Sequence, residues 1–189
     1  MKKITIILIT LVSFYSCKEP KARKSLIKKT GNSREYSVNA DRTKKQLQLE
    51  NKVINLYTNN DSTSTYLNSN KGFKYSYILK DTLNKNTPKY GDALLYSYYV
   101  TDIKNNIIYR KEDIGLKSYY VDQENNITEG FRQALKIIKV GEEIKFIFPS
   151  QLAYGYRGDG KNIKPNLPII CYIELKELVN KNQLQIIKQ

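Results

Sequence analysis

The chain has 189 residues, 40% of them hydrophobic, with sixteen tyrosines, no histidine, two cysteines (Cys17 and Cys171) and a formal net charge of +14. That is room for one packed domain of ordinary size plus extensions. The missing histidine excludes His-based triads and dyads, and with so few cysteines a Cys/His zinc site and a disulfide framework go too. A carboxylate-only site stays open, but no paired carboxylates occur at a telling spacing, so no metal or other cofactor is expected.

Residues 1–16 begin with Lys2 and Lys3, continue as an apolar run from Ile4 to Phe14 and end on Ser16. The run is shorter than the ~20 residues that cross a bilayer and fits the apolar region of a secretory signal. A cysteine directly after it resembles the lipobox of bacterial lipoproteins. The resemblance implies cleavage before Cys17 and lipid attachment to its thiol; an uncleaved anchor, or an ordinary signal with an incidental cysteine, is the other reading. Lys18 follows where an inner-membrane lipoprotein would carry aspartate, which favours the outer membrane and a periplasm-facing envelope location. Residues 17–42 read as a basic tether. Between residues 18 and 34 there are seven basic side chains and one acidic, a net +6. Beside a lipid anchor each basic residue draws on anionic headgroups by about 1 kcal/mol; a solvated spacer with no target is equally open. An exported chain meets little nucleic acid, so none is expected as a partner.

Residues 43–57 predict a helix. Thr43 with Gln46 three residues on has the form of a capping box, and Leu49, Val53, Leu56 and Tyr57 make one apolar stripe. The stripe either packs on its own domain or forms a dimer or partner contact. Residues 61–71 are polar and read as a linker. Strands are expected at 72–79, 94–100, 107–109 and 117–121, with Asn105-Asn106 turning the hairpin between the second and third because asparagine tolerates positive φ. Phe131, Leu135 and Ile138 recur at i, i+4, i+7 and predict a short helix, ended by Gly141. Alternation then gives a strand at 143–148, a glycine-punctuated loop (Gly155, Gly158, Gly160) and a long strand at 167–178. Several antiparallel strands and one core helix define an α+β domain. The domain plan is signal 1–16, tether 17–42, helix and linker 43–71, domain 72–180 and tail 181–189.

The ordered set from Gly130 to Leu178 carries a specific resemblance. A glycine-aromatic pair opens the helix, Val140-Gly141 follows it, Leu152-Ala153-Tyr154-Gly155 stands in the loop, Pro165 lies near the loop's end, and the chain closes on Ile173-Glu174-Leu175 with Glu177-Leu178. This resembles the FKBP family of peptidyl-prolyl cis-trans isomerases, whose fold is a curved antiparallel sheet wrapped around a short helix. The lipobox, the preceding helix and the 105–109 hairpin with no aspartate after it narrow the resemblance to gliding-motility-associated FKBP lipoproteins. Clients are then proline-containing polypeptides of the envelope.

The resemblance implies the site residue by residue. Tyr98, Tyr109, Ile127, Thr128, Phe131 and Tyr154 match the catalytic positions, with the Thr128 N–H and the Tyr154 phenol holding substrate carbonyls. Tyr120, Ile163 and Cys171 match the pocket wall, Ile163 as the loop isoleucine over the proline ring. Arg110 stands where active members have an aspartate. That reversal of sign implies weakened turnover and supports an alternative, a binding module that stabilises an envelope complex. Glu112 or Asp113 reaching back is one way to restore a carboxylate.

Overall fold

The computed structural model describes residues 33–83 and 86–180. The expected signal, Cys17, most of the tether and the tail lie outside the described residues. The chain separates into two units, Met1–Asn39 and Ala40–Gln189. Of the first, only the opening of a helix is described; the second carries everything below.

The order is helix α1 (Ser33–Asn60), strands β1 (Leu67–Asn68), β2 (Lys74–Leu79), β3 (Ala93–Asp102) and β4 (Ile107–Tyr109), helix α2 (Lys111–Ile114), β5 (Lys117–Tyr120), helix α3 (Glu129–Ala134), β6 (Glu143–Phe148), a 3-10 turn (Ser150–Leu152) and β7 (Ile169–Val179). All pairings are antiparallel, in the order β1-β2-β6-β7-β3-β4. β5 lies beside the first half of β3, so β4 and β5 share one edge and the segment with α2 interrupts it. Register shifts at Tyr77/Leu79 and Leu95/Tyr96 add twist where the sheet must curve.

The fold is the expected α+β one. Period-2 alternation puts Leu94, Tyr96 and Val100 of β3 on one face with Cys171, Ile173 and Leu175 of β7 and Phe146 and Phe148 of β6. That face covers Phe131, Ala134, Leu135 and Ile138, all buried, at roughly 1.5–3 kcal/mol for each large side chain. The 131–138 helix is shorter than expected. Regular helix stops at Ala134, and Ile137 N–H bonds the Ala134 carbonyl at 3.1 Å in a tightened last turn. Gly141 (φ +84°) does not cap that helix. It opens the turn into β6 and donates to the Leu175 carbonyl at 2.9 Å. Beside it the fully buried Glu142 carboxylate accepts from the Lys139 N–H at 2.9 Å and the Asp81 N–H at 3.1 Å.

Helix α1 departs from expectation in two ways. It begins ten residues inside the stretch read as tether, because no proline or glycine interrupts residues 33–60. Thr43 is therefore interior, and Gln46 donates to Glu50 at 3.1 Å instead of closing a capping box. The buried face is also not the apolar stripe. Glu50, Ile54 and Thr58 are buried, whereas Leu49, Val53 and Leu56 are 49%, 41% and 63% exposed. One residue step turns a helix about 100°, and polar demands on the sheet set that rotation. Lys145 of β6, only 6% exposed, projects from the outer face. It pairs with Asp61 at 2.9 Å and lies 4.8 Å from the Tyr57 ring centre and 5.3 Å from that of Tyr66. Burial alone would lower the Lys145 pKa, but Tyr57, Tyr66 and Asp61 raise it overall. Hydrogen bonds from Thr63, Tyr66 and Lys145 in turn hold Asp61 well below the usual carboxylate range. Ile54 packs with Ile147 and Ile170 on the same face. No helix among the described residues is long and apolar enough to cross a membrane.

Candidate active site

The site forms where α3 meets the corner between β6 and the 3-10 turn. A Cβ at Gly130 would stand 2.7 Å from the Leu152 carbonyl oxygen and 2.7 Å from Phe148, so only glycine lets the helix approach this closely. The approach brings Phe131 edge-on to Tyr98 at 4.9 Å and tilted on Phe148 at 5.7 Å. Tyr98 also stacks on Tyr96, two residues earlier on the same face of β3.

These rings enclose a hollow of about 220 Å³, walled by Tyr96, Tyr98, Phe131 and Tyr154 and rimmed by residues 125–128. Five of the six expected catalytic residues thus converge: Tyr98, Ile127, Thr128, Phe131 and Tyr154. Burial, and then the neighbouring Tyr98 and Cys171, push the Tyr154 phenol well above its ordinary value, so it stays a proton donor. Its hydroxyl makes no hydrogen bond to another described residue, although those of Tyr57, Tyr66 and Tyr109 all do. The Thr128 hydroxyl is buried without a partner among the described residues. Cys171 is fully buried behind the hollow, opposite Val100 and Phe146, and burial pushes its thiol up.

Tyr109 does not line the hollow. Its hydroxyl donates to Asp159, and that bond, with burial second, raises its pKa. Asp159 also accepts the Lys161 and Ile163 N–H groups at 2.9 Å each. Burial works against its charge, but the Tyr109 hydroxyl and those two amides hold the carboxyl below the usual range. Ile163, 3% exposed, belongs to the core under the loop and is not a lid over the hollow.

Two expected pocket residues lie elsewhere. Arg110 is exposed at the start of α2, outside the hollow. Glu112 and Asp113 are exposed as well. Tyr120 is on the wrong face of its strand: Tyr119, its neighbour, is the buried one and pairs across with Leu94. Sequence reading missed Tyr96 and Asp159. The alternation of Tyr96 with Tyr98 was the available signal for the first, and an acidic residue between two glycines, Gly158-Asp159-Gly160, for the second. Gly158 (φ +68°) is required there, since a Cβ would fall 2.2 Å from the Ile163 carbonyl.

A sheet curved over a short helix, with an aromatic hollow at the helix's N-terminal end, is an FKBP-like fold. Solved structures agree. That of a peptidyl-prolyl cis-trans isomerase from Pseudomonas syringae pv. tomato superposes with a TM-score of 0.58 at 18% identity, over 73% of this chain and 96% of that one. FkpA from Escherichia coli gives 0.58 at 22% identity, over 96% of this chain and 84% of that one. The model of the FKBP-type peptidyl-prolyl cis-trans isomerase family matches residues 84–176, just under half of the chain. Two curated relatives are similar to parts of this chain. A probable FKBP-type 25 kDa isomerase of Pseudomonas aeruginosa is 37% identical over 51 residues, 27% of this chain and 22% of that protein. The FKBP-type 22 kDa isomerase of Escherichia coli is 34% identical over 55 residues, 29% of this chain and 27% of that protein. The chain thus spans about a quarter of the length of the curated relatives it matches.

Proposed function

We propose that this protein accelerates cis-trans isomerisation of Xaa-Pro bonds in polypeptides of the cell envelope, held at a membrane through a lipid on Cys17. Rotation about such a bond is opposed by amide resonance, with a barrier of about 18–20 kcal/mol. No nucleophile is needed. A dry aromatic hollow disfavours the charge-separated planar amide relative to the twisted one, and fixed donors hold the carbonyls. The Tyr154 hydroxyl and the Thr128 N–H are the donors this site offers. About 5 kcal/mol taken from the barrier gives roughly 10³–10⁴-fold.

The observation that carries the proposal is the convergence of Tyr98, Phe131 and Tyr154 on one hollow, with the Tyr154 phenol making no hydrogen bond to another described residue. The signal-like start and basic tether support export, and the resemblance to gliding-motility lipoproteins supports work on a surface machine. Arg110, which supports the alternative of a binding module without turnover, is exposed and outside the hollow; the rate measurement separates the two readings. The test is the isomerisation rate of a proline peptide with the full chain and with Tyr154→Phe. Acceleration that falls about tenfold or more in the variant, with an unchanged circular dichroism spectrum, supports the proposal; equal rates would sink the assigned donor.

A further inference from the structure

A second concavity, of about 510 Å³, runs between α1 and the chain after the 3-10 turn, and Tyr154 stands in the wall of both it and the hollow. Its floor is fixed. The Glu50 carboxylate, 4% exposed, accepts the Ser150 N–H at 2.8 Å, the Ser150 hydroxyl at 2.7 Å and the Gln46 amide at 3.1 Å. The Ser150 carbonyl then takes the Ala153 and Gly155 N–H groups at 3.0 and 2.7 Å, on either side of Tyr154. Asn166 N–H closes the far end on the Gly155 carbonyl at 2.8 Å. With three donors on it, the Glu50 carboxylate is held in the floor and its oxygens are taken up. The rim carries the opposite sign: Arg157 is exposed, lies over the Tyr156 ring at 5.3 Å, and makes no ion pair among the described residues.

We propose that this groove binds the stretch of client polypeptide adjoining the proline, and that Arg157 makes it favour a stretch with an acidic side chain. The proposal rests on the isomerase reading for the proline's place in the hollow. The groove has more than twice the hollow's volume and shares the Tyr154 wall with it. Gln151 and Asn166 line it, and an amide side chain both donates and accepts, as the backbone of an extended segment requires. Its helix wall, Thr43 to Glu50, lies outside the family-matched residues 84–176. The groove is therefore completed by a part of this chain beyond the family-matched stretch, whereas Arg157, which sets the charge preference, lies within it.

The test uses the full chain and three peptides: a four-residue proline peptide, and that peptide extended by four residues at both ends with either glutamates or lysines. Both kcat/KM for isomerisation and the dissociation constant by titration are measured, at low salt where an exposed charge is least screened. The expected result is a glutamate-over-lysine ratio of about fivefold, the scale of one exposed ion pair, abolished or inverted in Arg157→Glu. A ratio near one in the parent, or one unchanged in the variant, overturns the groove. If no peptide is turned over, the isomerase reading fails, and the affinity ratio still decides the groove. If no peptide binds, both fall.

Discussion

Glu50→Ala is the most informative single change outside the hollow. The carboxylate is buried, and both bonds from Ser150 are buried with it. A hydrogen bond to a charged group is worth about 1.5–3 kcal/mol, and a buried donor left unpaired costs about 1–3 kcal/mol. Relief of the carboxylate's own desolvation offsets part of this. The Ser150 hydroxyl can turn to another acceptor, but its N–H cannot. A net loss of about 3 kcal/mol lowers the Tm of a chain this size by roughly 6–12 °C. Glu50→Gln keeps one acceptor oxygen and should lose about half as much. Thermal denaturation of the full chain, followed by circular dichroism, reads both. A Glu50→Ala protein melting within 2 °C of the parent would mean that α1 is not bolted to the Tyr154 loop.

Gly130→Ala drives a methyl into the Leu152 carbonyl and the Phe148 ring, so it should cost about 1–3 kcal/mol and reduce turnover by displacing Phe131; melting and rate measurements check it. Arg110→Asp changes an exposed residue and should leave the isomerisation rate within about twofold, whereas Asp159→Ala releases Tyr109 and the Ile163 loop and should slow it about tenfold, a change of ~1.4 kcal/mol in the barrier. Asp61 has a folded pKa below its ordinary 3.8, so its contribution is complete above that value and is lost as pH falls toward the folded pKa. Asp61→Asn should therefore be less stable than the parent at pH 7, with the gap in Tm narrowing below about pH 4.

Most of the sheet was legible because half-buried strands alternate. Residues 143–148 and 167–178 were readable from side-chain period alone, and Asn105 takes φ +65° in the expected hairpin. Features set by partners far along the chain were not. Which face of α1 turns inward depends on Lys145 and Ser150, 84 and 100 residues from Asp61 and Glu50, and the apolar stripe Leu49–Val53–Leu56 gave no hint of them. Tyr119 and Tyr120 are adjacent, so a one-residue register decides which is core. The aromatic hollow was recoverable from Tyr98, Phe131 and Tyr154 through the family pattern. The Asp159–Tyr109 contact beside it was not, because Asp159 comes from a loop whose path depends on Gly158.

The most direct test of the central claim follows cis-trans exchange of a proline peptide by NMR while recording the Tyr98, Phe131 and Tyr154 ring signals of the full chain. The account predicts faster exchange together with shifts in those three rings. Shifted rings without faster exchange would leave a binding pocket and no enzyme, and faster exchange without shifts would place the chemistry somewhere other than this hollow.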